Sequence, residues 1–179
     1  MIVLDPDAEL ELPSAATLRR AARAAQAAVG LVGEVTVLLT DDAGIRRLNR
    51  RFRGKNKATD VLSFPAAEPV PGQHCGLAGD LAISVETAAR QAAEEGHRLG
   101  VELRVLLLHG MLHLAGMDHE ADTGQMAARE AELRRALRLP LGLIERVSAP
   151  RASAAEGKRR REPKRAGSSE DRAARNGRS

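Results

Sequence analysis

The sequence predicts an α+β fold in which a mixed β-sheet of about four strands packs with about five helices. Short apolar stretches with a period of two are interspersed with longer segments whose apolar residues recur at helical spacing. The 179 residues suit one hydrophobic core, since single cores commonly fill roughly 100–200 residues. The longest apolar run, which starts at Val105, is much shorter than a bilayer-spanning helix, so a membrane protein is excluded.

The first half of the chain predicts strand, helix, strand and helix. Residues 2–4 form a short apolar strand, and Ser14 is a good N-cap for a helix that stops at a glycine. The alternation of residues 35–40 predicts a second strand. Asp41 or Asp42 then caps a second helix. The predicted buried stripe of that helix consists of Ile45, Leu48 and Phe52.

The second half predicts two more strands and three more helices. Residues 61–64 are rich in β-forming side chains, and "DLAIS", after a loop rich in proline and glycine, is a further strand. Ser84 caps the third helix. An apolar helix is predicted over residues 101–115, and a last amphipathic helix from about Thr123 to Arg138.

The positive charge of the chain is concentrated in its C-terminal segment. From Arg151 onward there are ten Lys and Arg against four acids, a net charge of +6, whereas the rest of the chain carries −2. That segment has no Val, Ile, Leu, Phe or Met, so it cannot offset the entropy of ordering itself. The sequence therefore predicts one domain over residues 1–147 and a disordered basic tail over residues 148–179. The tail is either an arm that contacts RNA phosphates or a dispensable extension.

Cysteine usage and the N-terminus both indicate a cytoplasmic protein. Cys75 is the only cysteine, so no intramolecular disulfide forms. The N-terminal apolar run is followed by acids and by no cleavage pattern for export. The aromatic content is two phenylalanines, so we expect any binding of single-stranded nucleic acid to be mainly electrostatic, without an aromatic platform.

Three of the five histidines stand in one short motif, "HGMLHLAGMDH", residues 109–119. His109 and His113 are four apart on the predicted apolar helix and therefore face the same side. A turn at Gly116 brings His119 back to them. Three imidazoles with further positions open to water are typical of a catalytic zinc site, although nickel and copper tolerate the same ligands. His74 and His97 lie outside this pattern, and we expect them to be ordinary hydrogen-bonded residues.

The motif is similar to the metalloprotease pattern H-E-x-x-H-x-x-G-x-x-H but lacks its general base. The glutamate that follows the first histidine in those proteases is Gly110 here. Peptide hydrolysis by the usual route therefore has no proton acceptor. Asp118 either orients a ligand or caps the turn.

Three segments together resemble the YbeY family of bacterial rRNA maturation factors: the histidine motif, "FRGKNKATDVLSFP" and "LAGDLAIS". The resemblance covers most of residues 30–140 and implies a zincin-like fold with the metal at the end of a central helix. It also implies that His109, His113 and His119 bind one zinc ion and that Arg53 is important for activity. This chain has Met117 where the family form has an aromatic residue.

The resemblance implies a metal-dependent single-strand endoribonuclease. Its implied roles are maturation of the 16S rRNA 3′ end and ribosome quality control, with the small ribosomal subunit and the GTPase Era as partners. Zinc and Arg53 would place uncompensated positive charge beside a phosphodiester. The attacking group is either water activated at the metal or the 2′-hydroxyl of the RNA.

Two rival interpretations belong to other classes. The first is a non-catalytic, zinc-stabilised rRNA-binding assembly factor, in which the histidines serve stability alone. The second is a metal-dependent hydrolase that acts on a substrate other than RNA. Without the resemblance, Arg53 in "RRFRGK" is typical of an ordinary surface arginine.

Overall fold

The computed structural model describes residues 1–4, 12–66, 76–119 and 121–140. They contain four strands, β1 (Ile2–Leu4), β2 (Glu34–Thr40), β3 (Val61–Pro65) and β4 (Leu77–Ser84). They also contain five helices, α1 (Ala15–Val29), α2 (Asp42–Arg53), α3 (Val85–Glu94), α4 (Leu99–Leu114) and α5 (Gln125–Ala136). The predicted α+β class is confirmed. Within this part of the chain, no helix is long and apolar enough to cross a membrane.

The strands form one mixed sheet in the order β1-β2-β4-β3. β1 and β4 both run parallel to β2, while β3 runs antiparallel to β4. The two faces of the sheet are covered by different helices. Alternate residues of β2, such as Val37 and Leu39, belong to the main core with α1 and α4. On the other face, Ile45 of α2 packs against Leu62 and Ala82.

Helix α4 lies at the centre of the molecule. It contacts α1, α3 and α5 as well as β3 and β4. Every residue from Val105 to Leu112 is buried, which explains why this helix is apolar on all sides instead of amphipathic. Because the helix is enclosed along its length, the position of its C-terminal end is fixed by the core.

The first three helices begin at predicted caps, and α1 and α2 end at predicted glycines. Ser14 accepts a hydrogen bond from the Thr17 amide, and Gly30 ends α1 in the left-handed conformation. Of the two candidate caps of α2, Asp41 accepts from the Gly44 amide. Asp42 instead accepts from Ser84, Thr87 and Arg90 and so ties α2 to the start of α3. Helix α4 begins at Leu99 and α5 at Gln125, each two residues from its predicted start.

The prediction that Phe52 is buried is wrong, since 57 % of this residue is exposed. Helix α2 covers the sheet with its first turns only, through Ile45 and the half-buried Leu48. At the last turn of α2, Phe52 packs edge to face against Phe64 of the edge strand β3 and stays outside the core. The buried polar residue of this helix is Asn49, whose amide donates to the Lys57 carbonyl at 2.8 Å and fixes the turn after α2.

Several predictions concern residues outside the described ranges. These residues are His74, Cys75 and the basic tail over residues 148–179, together with the proposed domain boundary at 147. The histidine motif and Arg53 lie within the described ranges.

Gly79 is the position in the sheet that is most sensitive to a side chain. Its φ of +143° is one that residues with a Cβ rarely adopt, and a Cβ there would lie 2.5 Å from the Phe64 carbonyl oxygen. We expect Gly79→Ala to lower the free energy of unfolding by roughly 2 kcal/mol or more, measured by urea denaturation. Gly76→Ala is the matched control, since a Cβ at Gly76 has no neighbour within 4 Å. Equal stability of the two variants would contradict the strand pairing described above.

Candidate metal centre

The three histidines of the motif are brought together at the end of α4. His109 and His113 lie one turn apart on the last turns of the helix. Gly116, with a φ of +86°, then reverses the chain and returns His119 to the same place. One nitrogen of each ring lies within 4.8 Å of the others, so the group could hold a metal ion. This is the arrangement that the spacing of the motif predicts.

The donor atoms fit a small divalent ion. The Nε2 atoms of His109 and His113 are 3.1 Å apart. Two nitrogens bound to one tetrahedral zinc at about 2.0–2.1 Å would be roughly 3.3 Å apart, so this pair already has the required spacing. The imidazole donors suit zinc, copper or nickel better than calcium or magnesium, which prefer oxygen ligands.

Glu130 of α5 fixes the orientation of His109. Its Oε2 lies 3.0 Å from His109 Nδ1, and both residues are buried. An ionised carboxylate only accepts hydrogen bonds, so the ring proton of His109 is on Nδ1. The lone pair of Nε2 is therefore directed toward the other two histidines, where a cation would bind.

Glu130 is itself held by a buried arginine. Arg134, one turn further along α5, forms an ion pair with the other carboxylate oxygen and donates to the Pro140 carbonyl at 2.7 Å. Burial raises the pKa of Glu130, but hydrogen bonds and charges from His109 and Arg134 outweigh it, so the pKa is lowered overall. Glu130 is thus held as the anion that His109 needs as a partner.

The sequence interpretation missed Glu130 and Arg134. Glu130 shares one helical face with the buried residues Met126 and Leu133, and Arg134 is buried one turn after it. Charged residues among the core positions of an amphipathic helix are seldom buried unless paired. The sequence therefore indicated that these charged residues are paired, but it did not indicate that His109 is a partner of Glu130.

His113 is held as the neutral imidazole. Burial lowers its pKa to about 4, with further contributions from the charges of His109 and His119, against a hydrogen bond with the Met117 backbone. The neutral ring is the form that binds metals.

The histidines open onto a cleft of about 640 Å³. The end of α2 and β3 line the same cleft through Phe52, Arg53, Ser63 and Phe64. Arg53 is exposed and lines the same cleft as the three histidines, although it lies far from them in sequence. A volume of this size is in the range of ligand-binding clefts, which is roughly 300–1,000 Å³.

Two acids, Asp60 and Asp118, also line the cleft. The Asp60 carboxylate accepts from the Thr59 hydroxyl, the Val61 amide and the Gln91 side chain. It is engaged in holding the start of β3.

Packing leaves little space for a side chain at Gly110, the position of the protease glutamate. A Cβ on Gly110 would lie 2.8 Å from a methyl carbon of Leu81, and the Ser63 hydroxyl donates to the Gly110 carbonyl at 3.2 Å. Helix α4 therefore rests directly on β3 and β4 at this residue. A glutamate at this position would require the Leu81 side chain to shift.

His97 lies outside the cleft lining, as expected. Its Nε2 is 3.1 Å from a carboxylate oxygen of Glu102, which is fully buried in α4. The pair connects the turn before α4 to the helix.

Comparison with known proteins identifies one family. A family model described as "Endoribonuclease YbeY" matches residues 7–138. Two proteins with that same name are similar to this chain. The one from Koribacter versatilis is 55 % identical over 136 residues, 76 % of this chain and 86 % of the relative. The one from Solibacter usitatus is 52 % identical over 137 residues, 74 % of this chain and 88 % of the relative.

The geometry predicts that each chain binds one metal ion and that this binding requires all three histidines of the cluster. We expect His109→Ala, His113→Ala and His119→Ala each to lose stoichiometric zinc, measured by elemental analysis after dialysis. His97→Gln is the control and should retain one ion, because His97 is not part of the cluster. Retention of a full equivalent of zinc by His113→Ala would contradict the site.

Glu130 is expected to affect metal affinity and stability separately. Glu130→Gln leaves Arg134 buried without its anion, so we expect a loss of about 3–5 kcal/mol in unfolding free energy. Zinc affinity should fall about 10- to 100-fold, because His109 is no longer oriented by a carboxylate. Urea unfolding of the metal-free protein and competition with a chromogenic chelator measure the two effects.

The double variant Glu130→Gln/Arg134→Met separates them. It removes both buried charges, so stability should largely return while zinc affinity stays low. Glu132→Gln, which breaks the exposed Arg129–Glu132 pair on the same helix, should change stability by less than about 1 kcal/mol. Recovery of zinc affinity in the double variant would show that Glu130 acts only on the fold.

Proposed function

The chain belongs to the YbeY family of endoribonucleases, and from that membership we propose that it uses one zinc ion to cut single-stranded ribosomal RNA. The observation that carries this proposal is the opening of the histidine cluster onto the same cleft as Arg53. A metal that served stability alone would need no open cleft. Structural zinc sites are normally closed by four protein ligands.

The charge of the site suits a phosphodiester. Three neutral imidazoles contribute no negative charge, so the charge of a bound divalent ion would not be neutralised by its ligands. Arg53 adds a second positive charge to the lining of the same cleft. An RNA phosphate between them would be bound by two cationic groups.

When bound, zinc supplies a Lewis acid that lowers the pKa of water and withdraws charge from a phosphoryl oxygen. The residues of the chain arrange the rest. Glu130 holds the tautomer of His109, while burial keeps His113 neutral. Arg53 lines the same cleft, and its guanidinium would donate hydrogen bonds to the phosphate as negative charge develops on it.

The proposed biological role is rRNA processing, with maturation of the 16S rRNA 3′ end and ribosome quality control as its parts. The family membership supports rRNA as the substrate and the small ribosomal subunit as the main partner, with the GTPase Era as a further one. Such a role places the protein in the cytoplasm. We assign residues 1–147 to the nuclease domain and residues 148–179 to a basic arm whose net positive charge suits RNA phosphates.

A second candidate function is a zinc-stabilised rRNA-binding assembly factor without catalysis. The connection from His109 through Glu130 to Arg134 favours it, because metal binding is thereby tied to the buried core. This candidate requires that loss of the metal lowers stability, that RNA binding persists, and that no preparation cuts RNA.

Cleavage of precursor 16S rRNA by variants purified in parallel tests the proposal. We expect zinc-loaded wild type to cut, and His113→Ala to cut no faster than metal-free protein. Arg53→Ala should lose about 10²–10³ in rate, as when a preorganised donor to the transition state is removed. Arg135→Ala is the control, because this exposed arginine of α5 is not part of the cleft lining. Equal cleavage by all four proteins would identify a contaminant and favour the assembly factor.

A further inference from the structure

The two phenylalanines of the chain, which are its only aromatic residues other than histidine, lie next to each other at the cleft. The ring centroids of Phe52 and Phe64 are 5.1 Å apart, and the rings meet edge to face at 65°. Phe64 is half-buried against the sheet, whereas Phe52 is 57 % exposed. The pair therefore presents an aromatic surface to solvent in the lining of the cleft that the histidines share.

Cationic side chains surround this aromatic surface. The guanidinium carbon of Arg51 lies 5.2 Å from the centroid of the Phe52 ring. Arg53 follows on the cleft side, and Lys55 and Lys57 are exposed in the next turn. Helix α2 contributes five arginines in all, each of them exposed. Such a surface is complementary to a polyanion that also carries flat aromatic groups.

Contacts of Asn49 and Phe64 support the position of Phe52. Asn49, one turn earlier on α2, is buried and fixes the following turn through its hydrogen bond to the Lys57 carbonyl. The Asn49 carbonyl also accepts from the amide of Lys55 at 3.3 Å. Phe64 supports the ring from β3. These contacts fix the turn that follows Phe52 and support one side of its ring, which reduces the entropic cost of binding.

We propose that the exposed ring of Phe52, packed against Phe64 and with Arg51 over one of its faces, is the stacking site for an unpaired RNA base bound in the cleft. The inference rests on the proposed function and identifies the feature of the substrate that the cleft recognises. Stacking on an aromatic ring needs a base that is free of its duplex, whereas phosphate contacts alone do not. The site therefore selects single-stranded RNA over duplex RNA of the same charge.

A purely apolar partner, such as a helix of another protein, is less well matched to this surface. Binding an apolar helix would remove water from Arg51 and Arg53 without giving them an anion. RNA offers both a stacking partner and phosphates. From composition we expected binding to rely on charge without an aromatic platform. The sequence did not indicate that the two phenylalanine rings are adjacent in the fold.

Fluorescence of 2-aminopurine in a short single-stranded RNA tests the proposal, since stacking quenches this base. With metal-free protein, which leaves the RNA uncut, we expect wild type to quench the probe and Phe52→Leu to bind roughly 5- to 100-fold more weakly with little quenching. Phe52→Tyr keeps a ring and should bind more tightly than Phe52→Leu. Val32→Ala is the control, because Val32 is an exposed apolar residue outside the cleft.

An RNA with an abasic nucleotide at the probe position provides the second arm. Wild type and Phe52→Leu should bind this RNA equally, because there is no base to stack. Equal binding and equal quenching of the intact probe by wild type and Phe52→Leu would overturn the proposal. Circular dichroism and urea unfolding establish that the variants fold alike.

Zinc-dependent cleavage, measured in parallel, separates this inference from the proposed function. If wild type cuts RNA while Phe52→Leu binds and cuts equally well, the stacking site is wrong and the nuclease stands. If wild type does not cut but Phe52→Leu binds weakly, the stacking site stands and the nuclease is wrong.

Discussion

The close approach of α4 to the sheet at Gly110 is the constraint on which the rest of the site depends. A Cβ at Gly110 would lie 2.8 Å from a methyl carbon of Leu81, so a larger residue there would require Leu81 to shift, and the Ser63 hydroxyl donates to the Gly110 carbonyl. These contacts hold the turn of α4 between His109 and His113 against the sheet. Both histidines line the same cleft as Arg53 and Phe52 at the end of α2. Gly110 is also the position that carries the general-base glutamate in the metalloprotease pattern.

The second determinant is the buried charge network of α5. Burying Glu130 and Arg134 costs desolvation free energy, and a well-packed apolar pair in their place is often as stable or more so. The network contributes to the histidine cluster instead of to stability. Glu130 fixes which nitrogen of His109 carries the proton, and Arg134 keeps Glu130 ionised. The network thus costs desolvation free energy in the core, and it gives the candidate metal ligand His109 one defined orientation.

The local rules of the sequence were enough to predict much of the fold. Hydrophobic periodicity, Ser14, Ser84 and the glycine stops placed all nine described elements, with shifts of about two residues at some helix starts. The histidines could be grouped because they are close in sequence and because a helix and a glycine turn have known geometry. Contacts between distant segments could not be predicted in this way. Glu130 meets His109, and Phe52 meets Phe64, only through the packing of α5 and of the sheet edge. Phe52 continues the helical spacing of Ile45 and Leu48, but it lies beyond the part of α2 that covers the sheet.

A helix held in the core groups His109, His113 and His119 so that they could hold one metal ion, with Glu130 behind His109. A crystal structure of the zinc-loaded protein, with anomalous data at the zinc edge, would show whether they do. We expect one ion in the cleft, at about 2.0–2.1 Å from the Nε2 atoms of His109 and His113 and from a nitrogen of His119. His109 Nδ1 should still contact Glu130. An ion bound elsewhere, or bound through His109 Nδ1 with Glu130 displaced, would contradict the account.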